Sequence, residues 1–564
     1  MSTYDYDVII VGSGMSGGIA AKEFCEKGYK TLVLDRGKPL EHRHYKTENV
    51  PPWEMAQRGQ KLSKKELEEN YPVNQHCYIL NEYTKGYMLK DVDHKYVQKK
   101  PFNWYRSSSV GGKSLLWARQ VYRWNEIDFE ANKKDGHGID WPIRYQDVEP
   151  WYDYIEPFVG VSGSVEQLDI LPDSKFLPAH PLNVVEREAK QKVEQAFPGR
   201  KIIPSRVAHL TAPQPIHTRL GRAQCQARSE CQRGCSWGGY YSSLAGGLAA
   251  AKLTNNMTLT ANAQVQKVLL DEKTGKTTGV QYIDTETLKA KTVSAKLVFM
   301  CASTVASVQI LLNSTSKTYP NGIGNNHDVL GRYITDHVGG AGASGTIEGH
   351  LDSYYKGRRP SGIYVPRFRN INKAHGKFLR GFGYQGGAGR SGWRDGMYKD
   401  GIGAEFKQSN QLPGNWYLTM WGFGEMLPRY ENRMYLDKEK TDIWGLPQPV
   451  MDVAVNDNEV EMQKDMEQSA IEMLTAAGAT NISSGRGDFI PGSTIHEMGG
   501  AVMGRDPKTS YLNKWNQCHE VANLFVTDGS AFPSQSCVNP SLTFMALTAR
   551  AVDYADKQLK AGKL

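Results

Sequence analysis

The sequence predicts an α/β fold, with a parallel sheet flanked by helices and, interleaved with it, a second domain built on an antiparallel sheet. Three stretches carry this reading. At the N-terminus a glycine-rich turn, "VGSGMSGG", joins an apolar β-branched run to a helical pattern; a meander over about 257–301 ends in a buried strand; and residues from about 340 to 455 are rich in Gly, Tyr, Trp and Arg with strand-like pieces.

In the N-terminal unit, Val8 to Val11 suit a strand buried on both faces, and Ile19, Ala20, Phe24 and Cys25 recur at helical spacing. Between them, Gly12 permits a tight turn, Gly14 lets backbone approach a pyrophosphate, and Gly17 allows close helix packing. A second strand, "KTLVLDRG", ends in Asp35, about where a ribose hydroxyl is bound. Strand, turn, helix, strand and acid fall in the order of a dinucleotide site, but this unit alone does not choose between NAD and FAD.

Further along, "SSSVGGKSLLW" offers a second close backbone approach at Gly111 and Gly112 and a hydroxyl at Ser114. The meander ends at Leu297 to Cys301, followed by the helix "VASVQILLNS". "NWYLTMWGFGEML" reads as a strand of the antiparallel domain, and the C-terminal segment reads as strand, Asp-Gly turn, loop and long helix.

Charge and length exclude several classes. The 564 residues hold 68 basic and 60 acidic side chains, a net +8 without a long basic run, so neither nucleic-acid nor polybasic membrane binding is indicated. No stretch approaches 18 apolar residues, which predicts no transmembrane segment, and the N-terminus enters a strand directly, so no export signal of the chain's own is expected.

Four motifs in order, GSGMSGG, GGKSLLW, HEMGGAVMG and DGSAFP with NPSLT, resemble the glucose–methanol–choline (GMC) oxidoreductase family over essentially the whole chain. Within it the sequence looks most like bacterial sugar, gluconate and glucoside dehydrogenase flavoprotein subunits, glucoside 3-dehydrogenases foremost. The resemblance implies a Rossmann-like FAD-binding domain over 1–155, 205–335 and 490–564 and a substrate domain over 156–204 and 336–489. It implies FAD held by Gly12, Gly14, Met15, Ser16, Gly17, Asp35, Arg36, Gly111, Gly112, Ser114, Trp117, Val265, Asp528, Gly529, Asn539, Pro540 and Thr543. Asp35 would hold the adenosine ribose, Val265 the adenine side, and Asp528 and Gly529 the diphosphate–ribityl region. Some relatives tether flavin through a histidine shortly after the glycine pair; here Ser114, Leu115, Leu116 and Trp117 follow, so FAD is expected to be non-covalent.

Alcohol oxidation needs a hydride acceptor and a base within hydrogen-bond reach, and imidazole titrates near working pH. His496 in "STIHEMGG" occupies the family's catalytic-histidine position, and Asn539 in "CVNPS" the second position, where it would orient the hydroxyl as a neutral donor and acceptor. His519 lies outside any motif and reads as surface. Relatives often carry Thr and Arg where Gly500, Ala501 and Val502 stand here.

Three of the eight cysteines, Cys225, Cys231 and Cys235, fall within eleven residues. The spacing suits iron–sulfur ligation, zinc with an outside ligand such as His217, or a disulfide plus a free thiol. Resemblance to sugar dehydrogenases with a three-cysteine cluster favours a [3Fe-4S] centre. Cys25, Cys77, Cys301, Cys518 and Cys537 read as structural thiols.

The expectation is an FAD-dependent dehydrogenase oxidising a secondary ring hydroxyl, C3 foremost, of a glucoside or related sugar. Electrons would leave through the cluster to a cytochrome c-type or other non-oxygen acceptor. A small accessory subunit and co-export to the periplasm follow from the resemblance, whereas the bare sequence reads as cytoplasmic. Alternatives are oxidation at another carbon, an oxidase using O₂, and a catalytically silent flavin-binding electron-transfer scaffold.

Overall fold

A computed structural model describes residues 4–353, 362–392, 400–411 and 413–564. Two seven-stranded sheets organise them. The first is centred on β1 (Tyr6–Val11), followed by helix α1 (Met15–Glu26) and β2 (Thr31–Leu34). β1 runs parallel to β2 and to β3 (Ala290–Met300); β2 continues to Met257–Thr260 and β3 to Leu524–Val526, both parallel. Val8, Ile9, Ile10, Leu297, Val298 and Phe299 are fully buried, as a parallel sheet covered on both faces requires.

β3 belongs to two environments. Its first half, Ala290 to Ser294, pairs antiparallel with Lys276–Asp284 and so carries the meander, and its second half enters the parallel sheet beside β1. Helix α2 (Thr304–Asn313) follows it.

The second sheet is antiparallel. Its order is Thr480–Arg486, β4 (Ala341–Ile347), β5 (Trp416–Glu425), Phe382–Arg390, Ile363–Val365 and Ile203–Pro204, with His337–Val338 pairing with the end of β5. Helix α3 (Asp457–Ala476) covers one face with Met462, Met466, Ala470 and Met473. A Cβ on Gly422 would stand 2.7 Å from the Met466 sulfur, so the glycines of β5 let this helix lie close.

The antiparallel region differs from the sequence reading in one respect. Arg433–Thr441 and Pro447–Asp452 form a separate small sheet with Val97–Gln98 and contact α2 of the parallel layer, because Met434, Val450 and Met451 are buried on that side. The long helix α4 (Ser541–Lys560) closes the chain by packing on α1.

Candidate active site

A cavity of about 1460 Å³ is lined by both large sheets. Its inner end lies at the carboxyl edge of β1, where neighbouring strands diverge, the usual ligand crevice of a doubly wound sheet. Gly12 has φ +98°, which disfavours other residues, and a Cβ on it would stand 2.3 Å from the Cys301 carbonyl oxygen. A Cβ on Gly17 would stand 1.9 Å from the Gly12 carbonyl oxygen, whereas one on Gly14 would meet nothing within 4 Å. Gly17 therefore fixes the approach of α1 to the turn, and Gly14 borders open cavity. No side chain caps α1 and no acid sits in its first turn, so its N-terminus is open to an anion.

Ser13, a variable position in the fingerprint, ties three parts together. Its N–H and Oγ donate to Asp35 Oδ2 at 2.9 and 2.5 Å, and its Oγ accepts the Gly111 N–H at 2.8 Å. Gly37 N–H donates to Asp35 Oδ1 at 2.7 Å. Gly111 and Gly112 have φ +92° and +56°.

Met15, Ser16, Asp35, Arg36, Gly112, Ser114, Trp117, Val265, Asp528 and Gly529 line the cavity with Gly12 and Gly14. Ser114 does so with its hydroxyl engaged: it donates to the Gly111 carbonyl at 2.5 Å and accepts the Ser243 N–H at 3.0 Å. Trp117 Nε1 donates to the Tyr241 carbonyl at 2.9 Å. Asp528 is buried, accepting from Ser530 N–H and Oγ at 3.0 and 2.6 Å and from Ser307 Oγ at 2.5 Å, and burial pushes its carboxyl above the usual range. Gly17, Gly111, Pro540 and Thr543 stand outside the lining. The Thr543 hydroxyl pairs with Tyr152 at 2.8 Å, while Ser541 and Phe544 of the same helix reach the wall.

His496 and Asn539 both line this cavity as well. Three backbone N–H groups, of Gly492, Thr494 and His496, donate to the buried Asp336 carboxylate at 2.8, 3.0 and 3.1 Å and shape the loop carrying His496. Burial, and then Glu497, push Asp336 up to about 6. His496 Nδ1 lies 2.7 Å from Nδ1 of the fully buried His337, whose Nε2 lies 2.5 Å from the Ser536 carbonyl. Enclosure, and then His337 and Lys113, hold His496 well below the ordinary imidazole range, so it is neutral at working pH. Lys113 pairs with Glu497 at 2.9 Å.

Gln385 Nε2 donates to Asn539 Oδ1 at 2.8 Å. Along β5 the side chains alternate: Trp416, Leu418 and Met420 are buried in the core, while Tyr417, Thr419, Trp421 and Phe423 line the cavity. Ser13, Asp336, His337 and Gln385 are functional candidates that the sequence reading missed.

Among the described residues, no three His, Cys, Asp or Glu side chains are placed to hold a metal, Cys225, Cys231 and Cys235 included. Their loop is pinned through other groups: Glu48 takes Arg228 and the Ser236 N–H, the Cys225 N–H donates to the Leu210 carbonyl, and the Cys231 sulfur faces His209 Nε2 at 3.7 Å. The three thiols are free. His217 is withdrawn as an outside ligand, since its Nδ1 accepts the Gln214 N–H at 2.9 Å and its Nε2 contacts the Pro157 carbonyl at 2.7 Å. His519 is half-buried against Ser510 rather than on the surface.

Comparison with known proteins assigns the architecture. The two GMC oxidoreductase family models match residues 6–339 and 428–548. The chain belongs to the GMC oxidoreductase family. It is 30% identical to 2-methyl-1,2-propanediol dehydrogenase of Mycolicibacterium austroafricanum, over 98% of this chain and 95% of that one. It is 26% identical to the fructose dehydrogenase large subunit of Gluconobacter japonicus, over 99% of each. Pyridoxine 4-oxidase from Mesorbium loti shares the fold, with a TM-score of 0.59 at 14% identity, covering 98% of this chain and 99% of that one.

GMC membership makes the protein an FAD-dependent oxidoreductase acting on CH–OH groups, and the cavity fits the cofactor. The open face of Gly14, the uncapped α1 N-terminus and the Asp35 carboxylate form a nucleotide cradle, and the same cavity continues to His496 and Asn539. No helix among the described residues is long and apolar enough to cross a membrane.

Proposed function

We propose that this GMC oxidoreductase oxidises a secondary ring hydroxyl, C3 foremost, of a glucoside or related sugar to the ketone, using non-covalent FAD. The observation that carries the reading is the wall facing His496 and Asn539, where Gln385, Tyr417, Thr419, Trp421 and Phe423 set amide, hydroxyl and aromatic groups side by side. Aromatic faces pack on the C–H face of a sugar ring while polar groups bond its hydroxyls. A relative named for fructose dehydrogenation supports a carbohydrate substrate.

FAD, when bound, supplies the hydride acceptor. His496 removes the hydroxyl proton at Nε2, the ring nitrogen not engaged with His337. Asn539, held by Gln385, orients the same hydroxyl and stays neutral. The β5 wall, with Tyr417, Thr419, Trp421 and Phe423, would hold the sugar ring.

The same proposal extends to the electron exit: although the three thiols are not placed to hold a metal in this structure, Cys225, Cys231 and Cys235 are the residues that would hold a [3Fe-4S] cluster, which would supply one-electron transfer toward a cytochrome-type acceptor, with a small partner subunit and periplasmic residence. Its support is the cysteine spacing together with Arg119, a buried guanidinium near these thiols whose Nε and Nη1 have no hydrogen-bond partner. A cluster on thiolates would place negative charge beside that cation. Iron near three per chain in anaerobically purified protein is expected; iron-free protein with full dye-linked turnover removes the cluster from the reading.

The substrate test is a panel of glucosides, free sugars and 1,2-diols with a dye acceptor in one arm and O₂ in the other, the new carbonyl being located by NMR. Dye reduction with a ring ketone at C3 is the expected result. Turnover restricted to diols, the class named for the 30%-identical relative, overturns the sugar assignment, and O₂ serving as well as dye overturns the acceptor.

A further inference from the structure

We propose that His337 is a positioning residue that fixes which nitrogen of His496 is the base. The inference rests on His496 acting as that base and follows from proton counting. A carbonyl oxygen only accepts, so the 2.5 Å contact between His337 Nε2 and the Ser536 carbonyl requires a proton on Nε2. Burial holds His337 down to about 4, so at neutral pH it carries only that one proton, and its Nδ1 presents a lone pair. Across 2.7 Å that lone pair faces His496 Nδ1, which must therefore be the donor. His496 is then the Nδ1–H tautomer, with a bare Nε2 turned from His337.

The arrangement is one-way. The Ser536 carbonyl sets the His337 tautomer, and His337 sets that of His496, with the two rings at 89° and 4.8 Å between centroids. Reversing either proton would bring two lone pairs, or two N–H groups, together. In other enzymes a base held in the wrong tautomer is a severe defect even where geometry survives. Asp336, the neighbour of His337 in sequence, holds the His496 backbone, so adjacent residues fix the loop and the proton. Phe423, from the neighbouring strand β5, packs its ring edgewise against His337 at 6.4 Å and stands between it and the cavity.

The test uses FAD-loaded holoenzyme and two amides that mimic different ring nitrogens. In His337→Asn the amide oxygen falls where Nδ1 was and accepts from His496; in His337→Gln the amide nitrogen falls where Nε2 was, keeping the bond to Ser536 but not the acceptor. Flavin reduction is followed by stopped-flow absorbance with whichever compound of the panel turns over fastest. His337→Asn is expected to stay within about threefold of wild type, and His337→Gln to lose on the order of 10–100-fold in the reduction rate constant, the usual range for an outer partner that orients a ligating or catalytic imidazole. KM and the FAD-to-protein ratio are expected to stay put in both. Equal rates in the two variants, whether both normal or both low, overturn the proposal. His496→Ala is the separate control: if it reduces flavin at the wild-type rate with FAD bound, the base assignment fails, whatever His337 does.

Discussion

Replacing Gly14 and Gly17 with alanine, one at a time, separates cofactor contact from protein packing within a single turn. At position 17 the new methyl would stand 1.9 Å from the Gly12 carbonyl oxygen and 3.4 Å from the Cys301 Cβ. Relieving that contact requires a movement of roughly 1 Å by α1 or the turn, at the upper end of the ~1–3 kcal/mol typical of overpacked cores. At position 14 the methyl meets no protein atom within 4 Å, and φ is −70°, which alanine adopts freely. There the lower unfolded-state entropy of alanine favours folding by ~0.4–1 kcal/mol, while alanine is the poorer helix N-cap by a similar amount. The two nearly cancel, so cofactor-free Gly14→Ala should melt within about 0.5 kcal/mol of wild type, the normal span for a substitution touching nothing. FAD affinity should fall at least ~10-fold, or ~1.4 kcal/mol, because the methyl occupies the space left for the pyrophosphate. The assays are urea unfolding of deflavinated protein and fluorescence titration with FAD. Gly14→Ala binding FAD like wild type, or both variants losing equal stability without cofactor, would refute these glycine roles.

Other outcomes follow from the same geometry. Because His496 is held well below the ordinary imidazole range, kcat/KM should stay flat as pH falls through 6.5 and decline only at lower pH; an acid limb centred at 6.5 contradicts the enclosed site. Buried His94, His217 and His337 are each pushed from 6.5 down to about 4, with burial the first cause. The unfolded chain therefore binds protons before the native one does; stability is intact above about 6.5 and is lost as pH falls toward 4, so the urea midpoint should drop between pH 7 and pH 5. Arg123 donates to Glu156 at 3.0 and 2.5 Å with both side chains buried, so Arg123→Met strands a buried carboxylate and should cost about 3–5 kcal/mol by denaturant titration. Trp421→Ala removes a ring from the part of the cavity wall built by the antiparallel sheet and should raise KM severalfold with little change in FAD content.

What the sequence disclosed and what it hid divide along a physical line. The Gly12 and Gly17 roles were legible because turn, helix entry and strand are contiguous, and each of these two glycines answers to a local steric demand. His337 was not, since the atom that makes it interesting belongs to a residue 159 positions away. β5 was read as a strand, but which of its alternating faces meets the cavity depends on α3 covering the other. Ser114 lines the cavity beside the glycine pair, but that its hydroxyl is engaged by the Gly111 carbonyl and the distant Ser243 N–H could not be read from the local sequence. Cysteine spacing likewise gives proximity along the chain without saying where the sulfurs point.

The hydroxyl of Ser13 couples two parts of the site. It donates to the acid at the nucleotide end and accepts from the glycine pair on the loop before Trp117, so both loops share one proton donor–acceptor atom. Removing that hydroxyl, as in Ser13→Ala, is therefore expected to disturb the Asp35 end and the glycine-pair loop together rather than one of them alone.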